Sequence, residues 1–286
     1  MSPEDPGTPA PGVLLNQRCG PFDGRMDADW IREYAAATKD PVRAVQAGEV
    51  VPAVAVVTQI WDAQNAGREA LVDRQMQANA TGGVHGEHDV VLHRPILPGE
   101  PLQTWVEGQG ARPAGRNVLV TLRYSTYDDS ETLVAEQWWT TVFLNTTCQA
   151  VGDAAPDHTL AEETRERPAG AYHVLVDDGM ARRYAEVSHD WSAHHFDLAA
   201  ANHSGFDRLF LHGLCTMALC AHGVVTTVTG SDPERVRRVA VRFASPTFLG
   251  DQLDLRLFEV GPLSYAFEAE SAGKRVIANG LAELRP

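Results

Sequence analysis

The sequence predicts an α+β chain made of two copies of one unit, each a curved antiparallel sheet wrapped round a long central helix. Three observations lead there. Two short motifs recur in the same order and at nearly the same separation. Each copy reads as a short helix, a long apolar helix and then strands. A polar stretch without periodicity separates the copies.

The first motif is Tyr34-Ala35-Ala36-Ala37-Thr38-Lys39-Asp40, matched by Tyr184-Ala185-Glu186-Val187-Ser188-His189-Asp190. The second is Pro95-Ile96-Leu97-Pro98-Gly99-Glu100-Pro101-Leu102, answered by Pro246-Thr247-Phe248-Leu249-Gly250-Asp251-Gln252-Leu253. Tyr34 precedes Pro95 by 61 positions and Tyr184 precedes Pro246 by 62. Either match alone could be chance, whereas two in order at one offset indicate duplication.

In chain order, residues 1–20 are expected to be disordered or extended, because the opening is rich in Pro and Gly. Residues 21–145 form the first unit, with its long helix from about Pro52 to Ala66. Its strands are expected near Asp89–His93, Leu102–Gly108, Val118–Tyr127 and Leu133–Leu144. Residues 146–170 are polar, include Pro156 and Pro168, and read as the linker. Residues 171–286 form the second unit, with a helical segment from about Asp178 and a long helix from near Leu211. The run Leu214-Cys215-Thr216-Met217-Ala218-Leu219-Cys220-Ala221 is apolar nearly all round, as a helix buried on several sides must be. In the strands that follow, Val239, Val241 and Phe243 share one face and Arg238 and Arg242 the other, while Leu253, Leu255 and Leu257 alternate with Asp254 and Arg256.

Of 286 residues, 44% are apolar and 22% charged, a globular composition. The net charge of -14 leaves no general field to hold nucleic acid or an anionic membrane. No apolar run is long enough to span a bilayer and the N-terminus lacks the form of a signal peptide, so a cytoplasmic location is expected. The four cysteines are scattered without metal-ligand spacing, and Cys215 and Cys220 are expected as reduced, buried thiols.

Chemistry concentrates in two segments. Asp190 and His195 lie five positions apart just after a helix, and Leu211-His212-Gly213-Leu214 opens the buried helix. A carboxylate and an imidazole sharing one water can move protons in both directions. Exposed N–H groups at a helix N-terminus are fixed donors for a developing oxyanion, and Gly213 lets a carbonyl approach the backbone. Together these suit addition of water to a double bond conjugated with a thioester carbonyl.

Tyr184, Ser188, Asp190, His195 and Asp197, followed by Leu211-His212-Gly213, resemble the pattern of the MaoC-like dehydratases, or (R)-specific enoyl-CoA hydratases. The resemblance extends to the first half through Val84-His85-Gly86-Glu87-His88 and His93-Arg94-Pro95. It implies a double-hotdog fold with a degenerate, non-catalytic first half that helps shape an acyl pocket. It further implies that Asp190 and His195 activate water, that the Gly213 N–H stabilises the oxyanion, and that the substrate is an acyl-CoA or acyl-carrier thioester. No metal or other cofactor is implied. Ser192, His212 and His189 are expected on the substrate side. The sequence departs from the family pattern at His189, Ser192 and Ala193, which stand where the family has Gly, Asn and Pro. The first half has Asp40 at the position of Asp190 but no matching His.

Plainer readings apply elsewhere. His212 is expected to be hydrogen-bonded near the helix start rather than to shuttle protons. His189, His194 and His195 beside Asp190 lack the spacing of a metal site. His85 and His93 read as satisfied structural residues. Trp138 and Trp139 should point to opposite faces of a strand, one into the core and one at a domain or subunit contact. Arg237 and Arg238 fit a solvated strand face at least as well as a phosphate site. A thioester hydrolase or a non-catalytic acyl-binding protein is the alternative function, and monomer and homodimer are both compatible with a chain that already holds two units.

Overall fold

A computed structural model describes residues 9–203 and 205–286. The first repeat opens with β1 (Arg18–Gly24), α1 (Ala28–Thr38), α2 (Arg43–Gln46), α3 (Trp61–Leu71) and α4 (Arg74–Asn79). It continues with β2 (Gly82–Leu92), β3 (Leu102–Ala114), β4 (Asn117–Asp128) and β5 (Leu133–Leu144). The two-residue β6 (Val151–Gly152) lies in the linker. The second repeat holds β7 (Pro168–Leu175), α5 (Met180–Ser188), α6 (Leu198–His203), α7 (Gly213–Val228), β8 (Val236–Phe243), β9 (Gln252–Gly261), β10 (Ser264–Ser271) and β11 (Lys274–Leu284).

All the strands form one antiparallel sheet in the order β1-β3-β4-β5-β2-β8-β11-β10-β9-β7, with β6 attached to β3. The order reads the same from both ends once β1 is matched with β7, β3 with β9, β4 with β10, β5 with β11 and β2 with β8. The duplication seen in the sequence is therefore a pseudo-twofold about the β2–β8 pair, where His88 faces Val241 and Val90 faces Val239. Strand alternation holds where it was expected: Leu253, Leu255 and Leu257 are buried while Arg256 is exposed. The architecture is the α+β double hotdog.

The helices carry the same symmetry. α1 is capped by Asp27, whose side chain accepts from the Trp30 N–H at 2.9 Å. It packs on α5, with the Tyr34 and Tyr184 rings 6.3 Å apart and the Trp30 indole N–H donating to the Val187 carbonyl at 3.2 Å. Both helices end in a left-handed residue, Lys39 at φ 53° and His189 at φ 59°. Here the family's Gly has its reason, since only Gly adopts this conformation without a Cβ penalty. His189 takes it while pointing into solvent.

The long central helix exists as one piece only in the second repeat. α7 is buried continuously from Leu214 to Val225. In the first repeat the helix expected over Pro52–Ala66 is replaced by a single 3-10 turn, Ala55–Thr58, followed by α3. The run Val54-Ala55-Val56-Val57-Thr58 is mostly β-branched and no side chain caps α3, so the segment has poor helix propensity and no start signal before Trp61. Val54 to Val57 nonetheless lie in the core.

Of the two states expected for the N-terminal stretch, disordered or extended, it is extended from residue 9 onward: Pro11 bridges Gln149, Val13 bridges Val72, and β1 begins at Arg18, while residues 1–8 lie outside the described residues. The linker is tied to the sheet. Its His158 ring N–H donates to the Asn279 carbonyl at 2.6 Å and Asp157 offers its carbonyl to Arg238, so it crosses the sheet over the repeat junction. Among the described residues no helix is long and apolar enough to cross a membrane.

Arg238 is neither solvated nor free for a phosphate. Its Nη2 lies 2.7 Å from Asp89 Oδ2 across the β2–β8 junction, and its Nη1 is 3.1 Å from Glu283. Arg237 also pairs with Glu283, at 2.8 Å. Burial raises the Asp89 carboxyl above its usual value, and Arg238 opposes the rise. Removing one partner leaves the other charge buried, so Arg238→Met should cost about 3 kcal/mol, read as a lower urea midpoint. His189→Gly should do the opposite, raising stability by about 0.5–1 kcal/mol by relieving the left-handed strain; an unchanged midpoint would refute that account.

Candidate active site

The site is assembled from the residues that follow α5 and those that lead into α7. Beyond the left-handed turn at His189, Asp190 enters a tight loop in which its Oδ1 accepts from the Ser192 N–H at 3.1 Å and the Ser192 hydroxyl at 2.5 Å. A 3-10 turn over Ala193–His195 then carries His195 inward, leaving it 5% exposed. Its Nδ1–H donates to the Phe210 carbonyl at 2.9 Å, which leaves the Nε2 lone pair unclaimed.

His212 precedes the first turn of α7. Its Nε2–H donates to the Asp190 backbone carbonyl at 2.9 Å, tying the Asp190 loop to the start of the helix. This is the structural role expected for it. The other ring nitrogen, Nδ1, is buried without a hydrogen-bond partner. The His195 and His212 rings lie 3.7 Å apart, centroid to centroid. Gly213 is the first helical residue, and a Cβ there would sit 3.2 Å from the Phe243 ring. The N–H groups of this first turn have no intrahelical acceptor and are available as donors.

The second repeated motif acts as a strap behind these groups. Leu211 N–H donates to the Thr247 carbonyl at 2.8 Å, Thr216 and Thr247 hydroxyls are 3.2 Å apart, and Phe210 bridges Phe248. The recurrence of Pro246–Leu253 in the sequence was the signal for this part of the site.

Asp190, Ser192, His195, His212 and Gly213 all line one cavity of about 390 Å³. His189 does not line it and is exposed; as the cap of α5 it sets the path of the backbone rather than a contact to substrate. Burial, reinforced by the neighbouring His212 and His194, lowers His195 to about 3, and burial lowers His212 to about 4. Both imidazoles are thus neutral at ordinary pH, and His195 is in the form that takes up a proton. Donor atoms of Asp190, His195 and His212 lie within 4.8 Å of one another, a set that would also suit a transition metal ion.

Sequence reasoning missed the opposite wall. His85 was expected to be a satisfied structural residue and Trp139 to face the core or a contact. Trp139 is indeed packed in the core, but both residues also line the cavity, stacked with ring centroids 3.8 Å apart and planes within 2°. His85 Nε2 has no partner, and burial holds its ring neutral. Trp138 does point the other way, over Arg123. His93 is satisfied by Glu136 at 2.9 Å, as expected.

The equivalent corner of the first repeat is filled. Asp40 is 3% exposed, accepts from the Val42 N–H at 2.9 Å, and has His222 Nδ1 of α7 at 3.3 Å from its Oδ2. It lines no part of the cavity.

Residues 159–279 match the family model described as MaoC like domain. Among curated proteins, the chain is 28% identical over 200 residues to 3-hydroxyacyl-thioester dehydratase Y of Mycobacterium tuberculosis, covering 68% of each. It is 25% identical over 223 residues to peroxisomal multifunctional enzyme type 2 of Mus musculus, covering 73% of this chain but 28% of that one. A match to the probable enoyl-CoA hydratase 2 of Dictyostelium discoideum, 24% identical, covers 47% of each. The chain therefore spans under half of two of these relatives. Among solved structures, a MaoC-like dehydratase from Phytophthora capsici superposes with a TM-score of 0.81 at 20% identity, covering 95% of this chain and 97% of that one. A Mycobacterium tuberculosis protein described as a double hotdog superposes at 0.60 with 17% identity, covering 95% and 96%. With the fold and these matches in agreement, residues 159–279 are similar to the MaoC like domain, and the chain as a whole has the double-hotdog fold.

Proposed function

We propose that the chain catalyses the reversible hydration of a trans-2-enoyl thioester, on CoA or a carrier protein, to the (3R)-3-hydroxyacyl thioester. The observation that carries this is the convergence, in one cavity, of the Asp190 carboxylate, the unclaimed His195 Nε2 and the N-terminus of α7. The names of the curated relatives, enoyl-CoA hydratase and 3-hydroxyacyl-thioester dehydratase, support the same class.

In this reading Asp190 and His195 hold a water against the β-carbon. One proton of the water passes to the dyad as its oxygen adds to carbon, and the developing enolate oxygen accepts from the Gly213 N–H. The same proton is then delivered to the α-carbon, so the net change is addition of H and OH across the double bond. Dehydration runs the steps backward. Ser192 holds the Asp190 carboxylate in place, and no metal or redox partner is required.

Asp190→Asn and His195→Gln should each lower kcat by a factor on the order of 10³ while circular dichroism stays unchanged. Turnover retained in either variant rejects the assignment. The same water could instead be directed at the carbonyl carbon, which would release free thiol; loss of enoyl absorbance without thiol release is the outcome expected here. The pH profile offers a separate check. Because burial lowers His195 to about 3, its basic form persists in mild acid, and kcat/KM should show no loss from this residue between pH 7 and about 5. A histidine at its ordinary value of roughly 6.5 would by then have lost most of the activity.

A further inference from the structure

The cavity that holds Asp190 and His195 has one wall of aromatic rings. From the oxyanion donor outward, each ring touches the next. Phe243 lies over Gly213, His85 lies 4.7 Å from Phe243, Trp139 stacks on His85, and Trp61 lies 6.2 Å from Trp139. Three strands and a helix start contribute: β8, β2, β5 and α3. Within the segment Val54–Trp61, Trp61 alone among the described residues lines the cavity. Val54, Ala55, Val56, Val57 and Ile60 are packed into the core instead.

We propose that Trp61 and Trp139 close the acyl end of the cavity, so that this chain accepts short or compact acyl thioesters and excludes long linear ones. The substrate class rests on the hydration reading above; the closure itself does not. At about 390 Å³ the cavity is near the small end of ligand sites, and it must hold the thioester and the reacting carbons as well as any tail. Trp139 is 8% exposed and His85 covers one of its faces, so its ring cannot swing aside without unstacking.

The test compares crotonyl-CoA with trans-2-decenoyl-CoA as substrates, and butyryl-CoA with decanoyl-CoA as unreactive ligands measured by calorimetry. The unaltered protein should favour crotonyl-CoA in kcat/KM by about tenfold or more. Trp139→Ala should raise the decenoyl-to-crotonyl ratio by at least about tenfold, and Trp61→Ala should move it the same way, while Trp139→Phe keeps the original preference. Trp61 is half-buried, so its variant serves if the loss of Trp139 prevents folding. A preference for decenoyl-CoA in the unaltered protein, or a ratio unmoved by both alanine variants when folded, overturns the proposal. Should the protein hydrate no thioester, the function falls but the closure is still decided. Butyryl-CoA binding more tightly than decanoyl-CoA, with the order shifting toward decanoyl-CoA in Trp139→Ala, supports it, and affinities indifferent to both alanine variants refute it.

Discussion

The pairing of β2 with β8 is the constraint on which the rest of the molecule depends. Each repeat alone would end its sheet at this strand and leave a row of unsatisfied N–H and C=O groups. Joining the two strands removes both edges at once and makes ten strands one continuous path. The same pairing puts His88 against Val241 and brings His85 within ring contact of Phe243. Since Phe243 lies over Gly213, the junction delivers a wall from one repeat to the start of α7 in the other. The buried Arg238–Asp89 pair and the linker passing over it seal the outer side of this seam.

Against that frame, two hydrogen bonds to backbone carbonyls fix the reactive groups. The bond from His195 Nδ1 to Phe210 selects the tautomer whose lone pair is free, and the bond from His212 Nε2 to Asp190 sets the distance between the carboxylate loop and α7. Neither bond uses an atom that the proposed hydration requires. Both spend a ring nitrogen on position, which is how an imidazole buried to this degree stays oriented without becoming charged.

Much of this was legible in the sequence. The Tyr-to-Asp and Pro-to-Leu recurrences gave the duplication, because a repeat leaves the same local constraints in both copies. The residues Asp190, His195 and Gly213, singled out in the sequence, do line one cavity, because each is set within a short loop or a helix start. What stayed hidden depended on long-range pairing. Strand alternation placed Trp138 and Trp139 on opposite faces but could not say that Trp139 faces a cavity, since that follows from β5 lying beside β2 and β2 beside β8. His85 looked like a satisfied residue for the same reason. The helix expected over Pro52–Ala66 failed on local grounds instead, its β-branched run and missing cap outweighing the resemblance to α7.

The broken helix also distinguishes the corner of the first repeat from the candidate site of the second. A hotdog sheet needs a filling for its concave face. In the second repeat α7 supplies it as one rod, whose N-terminus is left pointing at Asp190 and His195. In the first repeat the 3-10 turn and α3 supply it in two pieces, and α3 begins with Trp61 at the cavity rather than with a glycine. The corresponding carboxylate, Asp40, is left without a helix start to work against and is taken up by His222, which reaches it from α7 and also meets the Thr38 hydroxyl at 3.0 Å. That contact makes the position a tie between the repeats. Duplication thus supplied two equivalent corners, and the interruption of one helix converted the first into a support and a wall for the second.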